Sequence, residues 1–587
     1  MRILLLLFCL IALRALYAEE MFPKPDWQDS PNPIASPDAN PGGKINVFIG
    51  QSPKSFNNYL DNSYISAEVF RLMYESLLSS DPITLDYEPD LAAKWSISDD
   101  KKKFTFWLDQ NAKWSDGRPI TAEDVKWTYD VVKAPENLTG PFKVSLERFE
   151  APVVVDRFTI RFTATEVHWE NLGAIGSLAI LPRHTFEKLD FNKINFEFPV
   201  VSGPYKLGNF KEGISVTMLH RGDWWQRQAK RNQGTFNFEV IRYKFFGERD
   251  NAYEAFKKGL VDLFPIYTAH RWVNQTKGEK FDKNWIVKQK IYNHKPIGFQ
   301  GFAMNVRRPP LDDLRIRKAI AHLVDRPKMN STLMYNQYFL HRSYYEDLYS
   351  KEKPCPNQPV AFDKDAARRL LKEAGWKGNP ETGLIEKDGR TFKFKVLTRS
   401  ASSEKFLAIF EEDLRDLGIE MEINKKDWAA WAKDMDEFNF DLTWAAWGAG
   451  VRKNPESMWA AKEADRRAGV NVTGFKDDRV DEMIEKQKSI FDIAVRHDIV
   501  REIDAIIFEA HPYALLWNIN YTRLLYWNKF GTPKPVLSKY GDESAAIAYW
   551  WSDEDSLADL EDATADKTAL PRLPDAIHFD DAFGSGE

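Results

Sequence analysis

The 587-residue sequence contains only two cysteines, and its one long apolar run lies at the N-terminus. Cys9 is inside that run, so Cys355 remains alone if the segment is removed, and an intramolecular disulfide is then excluded. A chain of this length can bury a core large enough to be stable without one. Because no other apolar run has the length of a membrane-spanning helix, we expect the mature protein to be soluble.

Motifs that mark common enzymes are absent as well. The ten histidines include no pair placed four residues apart around a glutamate, and no serine lies in a Gly-x-Ser-x-Gly turn. No glycine-rich phosphate loop occurs, and no motif marks Cys355 as a nucleophile. We therefore predict no catalytic residue, no metal site and no cofactor, with a peptidase as a remote alternative.

The chain lacks the excess of positive over negative charge that is typical of a nucleic-acid-binding surface. The formal net charge is −6, and the residues from 553 onward hold eleven acidic side chains against Lys567 and Arg572. The body of the chain is therefore close to neutral, which argues against a nucleic-acid partner. The acidic end is expected to be a solvated, partly disordered tail.

The first residues have the pattern of a secretory signal peptide. Arg2 supplies positive charge, residues 3–13 are apolar, and Ala18 offers a small side chain for cleavage. Cys9 is not preceded by the small residue that lipoprotein processing needs, so lipid anchoring is not expected. We predict a signal peptide over residues 1–18.

The segment 113–125 predicts a tight turn followed directly by a helix. Asp116 and Gly117 form a turn pair, because glycine accepts the positive φ that a short hairpin requires. Thr121 can cap the following helix, with Asp124 reaching back to it as in a capping box. None of these residues needs a chemical role.

This segment and its neighbours resemble the signature of the large solute-binding proteins of ABC importers, extracellular family 5, which contains the oligopeptide-binding proteins. Matching pieces follow in family order from about residue 44 to residue 552. The C-terminal part is most similar to the subgroup associated with peptide and microcin C uptake. The matching segments are 74–78, 88–95, 103–107, 113–125, 200–207, 221–225, 302–305, 312–320, 511–517, 526–531 and 549–551.

The resemblance implies an α/β fold: a two-lobed periplasmic binding protein of type II, from the large cluster with an extra accessory domain, whose lobes are joined by two crossover strands. It implies a monomeric periplasmic receptor that captures a peptide or peptide-like solute in the cleft between the lobes and delivers it to an inner-membrane ABC permease. The expected domains are a signal peptide (1–18), an extended arm (19–43), lobe I (44–76, 199–295 and 530–552), an accessory domain (77–198), lobe II (296–529) and the tail (553–587).

Periodicity in lobe II independently predicts a parallel sheet. A strand over 392–397 is followed by a helix over 406–417 that stops at Gly418, and another strand follows at 419–423. Strand, helix and strand in this order form a βαβ unit.

Tryptophans concentrate in the same lobe, beyond this unit. Residues 444–448, Trp-Ala-Ala-Trp-Gly, follow a predicted strand over 440–443. We therefore expect their rings at a strand end, where a ligand cleft would form. The alternative for any single ring is burial between helix and sheet. The cluster comprises Trp428, Trp431, Trp444, Trp447 and Trp459.

The resemblance breaks down at one point that concerns the ligand. Oligopeptide-binding proteins often place an aspartate shortly after the equivalent strand to pair with the free amine of a peptide, whereas this sequence has Trp447 and Gly448. Either another acid serves, Glu456 being the nearest, or the ligand is not held by a free amine. A non-peptide solute, such as an opine, an oligosaccharide or a metal chelate, is the alternative, because aromatic stacking with few charges suits sugars.

The predicted ligand-binding residues come from both lobes. Asn57 and Asn58 could supply polar anchors from the loop after the first strand, and ordinary turn residues are the equal alternative for them. The full set is Asn57, Asn58, Tyr64, Phe302, Met304, Trp428, Trp444, Trp447, Glu456, Trp517 and Asn518.

Overall fold

The computed structural model describes residues 20–23 and 30–583. The predicted signal peptide, 1–18, lies outside the described residues. Contacts divide the chain into two compact units. The first unit takes the described residues up to Ile266, together with Lys277–Asn293 and those from Thr522 onward. The second takes Tyr267–Thr276 and His294–Tyr521.

The first unit is built on an eight-stranded mixed sheet. Its central strands run parallel, with Val240–Phe245 and Leu263–Pro265 on either side of Lys44–Ile49. At one edge, Ala576–His578 is also parallel to its neighbour. All other neighbouring strands of this sheet are antiparallel. In spatial order the strands are Ala576–His578, Ile286–Tyr292, Thr522–Trp527, Leu263–Pro265, Lys44–Ile49, Val240–Phe245, Ser215–His220 and Tyr205–Lys211.

A second, antiparallel sheet of five strands belongs to the same unit. It lies mostly in the predicted accessory region, 77–198, whose core residues join those of the large sheet in one hydrophobic cluster. The separation of 77–198 as a domain therefore stays a prediction. In spatial order the strands are Glu20–Phe22, Ala92–Ile97, Lys103–Leu108, Thr159–Thr163 and Val153–Asp156; Leu78–Ser80 and Tyr87–Pro89 form a hairpin beside them, and Phe530–Gly531 pairs with Trp551–Ser552.

The turn and helix predicted at 113–125 are confirmed. Gly117 has a φ of 84°, and its amide donates to the carbonyl of Trp114 at 2.9 Å. The carboxylate of Asp124 accepts from the backbone N–H of Thr121 at 2.9 Å, and a helix begins at Ala122. The helices of the first unit are Tyr64–Met73, Ala122–Lys133, Gly140–Leu146, Asn171–Gly176, Arg183–Phe186, Arg249–Lys257, Glu279–Asp282, Ala545–Tyr549, Glu554–Asp566 and Phe579–Phe583, with a 3-10 turn at Lys230–Asn232.

The acidic C-terminal segment differs from the solvated, partly disordered tail that its charge led us to expect. Helix Glu554–Asp566 buries Leu560, and the strand Ala576–His578 pairs in parallel with Ile286–Tyr292. An edge strand offers unpaired backbone groups, which this segment satisfies. The expectation rested on net charge, which gives no information about the few apolar side chains that attach the segment to the sheet.

The second unit is a five-stranded sheet with helices on both faces. Lys393–Thr398 and Glu420–Lys425 are parallel, which confirms the predicted βαβ unit. Leu442–Trp447 lies parallel on the other side of Lys393–Thr398. In spatial order the strands are Glu420–Lys425, Lys393–Thr398, Leu442–Trp447, Phe299–Met304 and Tyr513–Leu515.

Two separate hydrophobic clusters cover the two faces of this sheet. Two small sheets complete the unit: Phe339–Leu340 pairs with Trp517–Asn518, and Lys377–Gly378, Ile385–Lys387 and Arg390–Thr391 form a three-stranded sheet. The helices are Ala269–Asn274, Leu314–His322, Arg326–Met334, Lys364–Glu373, Glu404–Arg415, Trp428–Asp436, Glu456–Trp459, Asp478–Lys488 and Ile493–Ala510, with 3-10 turns at Glu346–Leu348, Ala401–Ser403 and Ala461–Glu463. No helix among the described residues is long and apolar enough to cross a membrane.

Candidate ligand-binding site

Six aromatic residues lie around the carboxyl ends of the parallel strands in the second unit, and we call this group the aromatic edge. The chain leaves the adjacent strands Lys393–Thr398 and Leu442–Trp447 towards helices that pack in different clusters, one on each face of the sheet. Such divergence opens a crevice at the strand ends, which is the usual ligand position in α/β sheets. The aromatic edge comprises Phe406, Trp428, Trp431, Trp444, Trp447 and Trp517.

The strand that precedes this edge is longer than predicted. It runs over Leu442–Trp447, so Trp444 is paired within the sheet, opposite Phe302, and only Trp447 is at the strand end. Pairing with Phe299–Met304 extends the strand through residues that were expected to follow it. Trp444 and Trp447 are three residues apart in a strand, so they point to opposite faces.

Three rings form the inner half of the aromatic edge. Trp444 lies edge-to-face against Trp517 at 5.6 Å between ring centroids and against Phe406 at 5.4 Å. Gln300 fixes this arrangement, since its side-chain oxygen accepts from Trp444 Nε1 at 3.0 Å and its amide donates to the Trp517 carbonyl at 2.8 Å. Both polar groups of Gln300 are thereby satisfied, and the half-buried Trp444 is held in one orientation.

The outer half of the aromatic edge is exposed. Trp428 stacks on Trp431 with centroids 5.4 Å apart, and 61% of Trp428 is accessible to solvent. The guanidinium of Arg399 lies over both rings, 4.6 Å from the Trp428 centroid and 5.2 Å from that of Trp431. A large indole surface is therefore open to a stacking partner.

Trp447 and Asn518 are also held by polar contacts. Trp447 Nε1 donates to the Tyr513 hydroxyl at 3.0 Å, and the Asn518 amide donates to the carbonyl of Gly298 at 2.7 Å. A side chain at Gly298 would meet the Trp447 carbonyl at 2.0 Å, so glycine permits the backbones to approach here. Both side chains thus have fixed positions.

Glu456, the suggested partner for a peptide amine, is already paired twice. Its carboxylate contacts Lys462 Nζ and lies 3.0 Å from Lys488 Nζ. Although burial raises the pKa of Glu456, the hydrogen bonds and charges of the two lysines outweigh it and leave the pKa below its ordinary value. A ligand amine would have to compete with two ammonium groups already in place.

Phe302 and Met304 lie beneath the aromatic edge. Both are fully buried, and Phe302 stacks on Phe410 of helix Glu404–Arg415 at 5.2 Å. Period-two alternation places Phe302 on the face that this helix covers, so it supports Trp444 from below. This placement differs from the expected direct ligand contact, because neither side chain presents surface.

The three predicted residues of the first unit have different environments. Asn57 is buried and its side-chain oxygen accepts from the Tyr59 backbone at 3.1 Å, as in an ordinary turn. The side-chain oxygen of Asn58 is buried and has no hydrogen-bond partner among the described residues. Tyr64 begins a helix and is 56% exposed. Ligand contact stays a prediction for all three.

Three residues of the second unit's site were missed by sequence reasoning. Gln300 is a lone polar residue in an apolar strand, Phe406 lies at the start of a helix, and Arg399 directly follows a strand. Of the three, only Gln300 gave a signal in the sequence, since a polar residue inside a buried strand needs a partner. The positions of the others depend on packing between distant segments.

The two units together define an α/β, two-lobed binding protein of the periplasmic type II class. Residues 86–468 match the model of the bacterial extracellular solute-binding proteins, family 5 (middle), and the chain belongs to this family. The family predicted from sequence is therefore confirmed.

Two curated relatives cover most of the chain. A putative binding protein of Brucella melitensis is 26% identical over 567 residues, which is 88% of this chain and 91% of the relative. The probable peptide-binding protein YejA of Agrobacterium fabrum is 28% identical over 530 residues, covering 82% and 84%.

Solved structures share the fold at low identity. The oligopeptide-binding protein AppA of Bacillus subtilis, in complex with a nonapeptide, has a TM-score of 0.68 at 20% identity, covering 88% of this chain and all of that one. NikA of Brucella suis, in complex with Fe(III)-EDTA, has a TM-score of 0.70 at 20% identity, covering 86% and 99%. One fold thus holds solutes of different chemistry, so the ligand must be argued from the site.

Proposed function

We propose that this protein is a periplasmic receptor that binds a peptide or peptide-like solute at the aromatic edge and delivers it to an inner-membrane ABC permease. The observation that carries the proposal is the pair of hydrogen bonds by which Gln300 holds Trp444 and Trp517 in fixed positions. The exposed indole pair of Trp428 and Trp431 follows another strand of the same sheet, Glu420–Lys425. Family membership and the relative named a probable peptide-binding protein support the choice of solute.

Binding at this site would combine two kinds of contact. Apolar or aromatic side chains of the solute would stack on Trp428, Trp444 and Trp447, each such contact contributing about 0.5–1.5 kcal/mol beyond burial. Main-chain groups would hydrogen-bond to polar groups such as Asn518, giving affinity with loose side-chain selectivity. We propose Trp428, Trp444, Trp447 and Asn518 as the contacts of this unit, and Asn57, Asn58 and Tyr64 as those of the first. Trp517 is only 3% exposed, so we assign it the role of holding Trp444 in place.

A non-peptide solute is the second candidate. The Brucella suis neighbour holds a metal chelate in the same fold. Three carboxylates near the aromatic edge in sequence, Glu404, Asp434 and Glu456, are each paired with a lysine of this chain, and Asp427 caps the helix that begins at Trp428. A ligand without an amine would suit this arrangement.

Native mass spectrometry of the exported, full-length protein purified without refolding separates these candidates. We expect retained ligands whose masses differ by amino-acid residues. A ladder spaced by hexose, or a single mass with a metal isotope pattern, would overturn the peptide assignment. Delivery is tested separately: deletion of the gene should abolish uptake of a labelled form of the retained solute, and unchanged uptake would contradict the transport role.

A further inference from the structure

Three neighbouring strands of the large sheet in the first unit adjoin points where the chain passes between the units. Leu263–Pro265 and Ile286–Tyr292 each end just before such a passage, and Thr522–Trp527 begins directly after another. Thr522–Trp527 pairs with both of the others. We call Ile286–Tyr292 the crossover strand. Movement of one unit relative to the other must be absorbed by backbone dihedrals close to these strand ends.

The C-terminal strand, Ala576–His578, pairs with the crossover strand at the end nearest the passage. The parallel pairing covers the last three residues of the crossover strand. The backbone N–H of Lys290 donates to the carbonyl of Asp575 at 2.9 Å. The ring of His578 stacks on Tyr292, with centroids 4.5 Å apart and 8° between the planes. The final residue of the crossover strand is therefore held by a ring contact as well as by the sheet.

Further contacts fix the C-terminal segment on both sides of its strand. Before the strand, Trp285 Nε1 donates to the carbonyl of Thr568 at 2.9 Å, and the Gln289 amide donates to the carbonyl of Pro574 at 2.8 Å. After the strand, Phe579 is buried. The segment therefore follows the crossover strand along most of its length.

This arrangement changes how the crossover strand can move. An edge strand that is paired on one side only opens most easily at its ends. Here the inner side of the crossover strand pairs with Thr522–Trp527 and the outer side with Ala576–His578. Because its last residues are bonded on both sides, fewer dihedrals are free to share the rotation that unit movement requires. The barrier to that movement should be higher than it would be without the C-terminal strand.

We propose that the C-terminal segment, residues 567–583, is a clamp that restrains the crossover strand and slows the movement of the two units relative to each other. The clamp sets the rate of that movement, whereas the choice of solute belongs to the aromatic edge. The acidic end of the chain thus has a conformational function that does not depend on which solute is bound.

Single-molecule energy transfer in the full-length protein without ligand tests the clamp. The dyes are attached at Asp99→Cys in the first unit and Glu381→Cys in the second, two exposed positions, in a Cys355→Ser background. Ile577→Pro removes a backbone donor from the middle of the C-terminal strand. We expect exchange between conformations of different dye separation to become about five-fold faster. His578→Ala keeps the strand pairing, loses the ring contact, and should give a smaller increase.

Leu560→Ala is the matched control. Leu560 is buried in helix Glu554–Asp566, which belongs to the same end of the chain but precedes the clamp. This substitution should lower stability without changing the exchange rate between conformations. Equal rates in Leu560→Ala and Ile577→Pro would overturn the clamp.

Hydrogen exchange of the backbone amides shows whether the crossover strand has been released. We expect the amide of Tyr292 to exchange faster in Ile577→Pro than in the wild type. An unchanged amide rate would show that the pairing does not hold the strand, and a faster amide rate with unchanged unit movement would show that the pairing is only structural; either result overturns the proposal. Because no ligand is used, a failure to bind peptides would overturn the proposed function and leave the clamp standing.

Discussion

Tryptophan clusters occur in both units, but their polar contacts differ. In the first unit, the Nε1 groups of Trp224 and Trp225 both donate to the buried carboxyl group of Glu75, at 2.8 and 2.9 Å. Gln226 links Glu75 to Asp90. In the second unit, the exposed indole of Trp428 has no hydrogen bond among the described residues and an arginine as its neighbour. The number of tryptophans therefore does not identify a site; what distinguishes one is ring surface that the protein leaves uncovered.

Removal of the buried ring in the first unit should have the largest effect. Trp224→Ala deletes a side chain that is 7% exposed and leaves Glu75 with one fewer donor. We expect a loss of about 3–5 kcal/mol in the free energy of unfolding, from the cavity left behind. Urea unfolding measures it. Ligand affinity of the folded fraction should not change, and a parallel loss of affinity would contradict a purely structural role.

Removal of the Gln300 side chain, which bonds to Trp444 and Trp517 in the second unit, should lower both stability and ligand affinity. Gln300→Leu leaves Trp444 Nε1 and the Trp517 carbonyl without their partner, which we expect to cost about 1–3 kcal/mol of stability. Because Trp444 loses its fixed orientation, affinity for the retained solute should fall too. If the affinity of Gln300→Leu measured by calorimetry is unchanged, Gln300 does not contribute to ligand binding.

Removal of the exposed indole of Trp428 should affect ligand binding more than stability. Trp428→Ala should change the free energy of unfolding by no more than about 0.5 kcal/mol, as surface substitutions do. It should weaken ligand binding by about two- to ten-fold, corresponding to the loss of one stacking contact. Phe491→Ala, which removes a ring that is 39% exposed elsewhere in the unit, is the control. Equal effects of the two substitutions on affinity would contradict the account.

A further prediction concerns the pH dependence of stability at the first cluster. Burial, with a further contribution from the negative charge of Asp90, raises the pKa of Glu75 well above 4.5 in the folded protein. The folded state therefore holds this proton more tightly than the unfolded state does. The resulting stability is complete below about pH 4.5 and falls as the pH rises through the folded-state pKa.

A comparison with Glu75→Gln isolates this contribution, because glutamine stays neutral at every pH. The free energy of unfolding of the wild type, minus that of the variant, should decrease between pH 4 and pH 7 in urea titrations. A difference that is constant, or that grows with pH, would show that Glu75 is ionised in the fold.

Local patterns predicted much of the fold. The turn at Gly117, the cap at Asp124 and the parallel strands around helix Glu404–Arg415 follow from spacing and from residues that permit one backbone conformation. The strand Leu442–Trp447 extended further than predicted, since its pairing partner is distant in the chain.

The candidate site was less predictable. Sequence reasoning selected Trp428, whose ring is exposed, and Trp444, whose ring is held in one orientation by Gln300. It also selected Phe302, which the adjacent helix covers. Whether a ring is covered depends on which helix packs over it. The contact between Arg399 and Trp428 likewise joins a strand end to a later helix. Sequence spacing does not predict a contact between two such distant residues.

Hydroxyl-radical footprinting of tryptophans tests the central claim most directly. The full-length protein is labelled with and without a mixture of synthetic peptides, and ligand occupancy is checked by native mass spectrometry. The account predicts that the ligand slows oxidation of Trp428 and Trp431 while Trp225 of the first cluster reacts at an unchanged rate. Bound peptide that leaves the oxidation rate of Trp428 unchanged would contradict it.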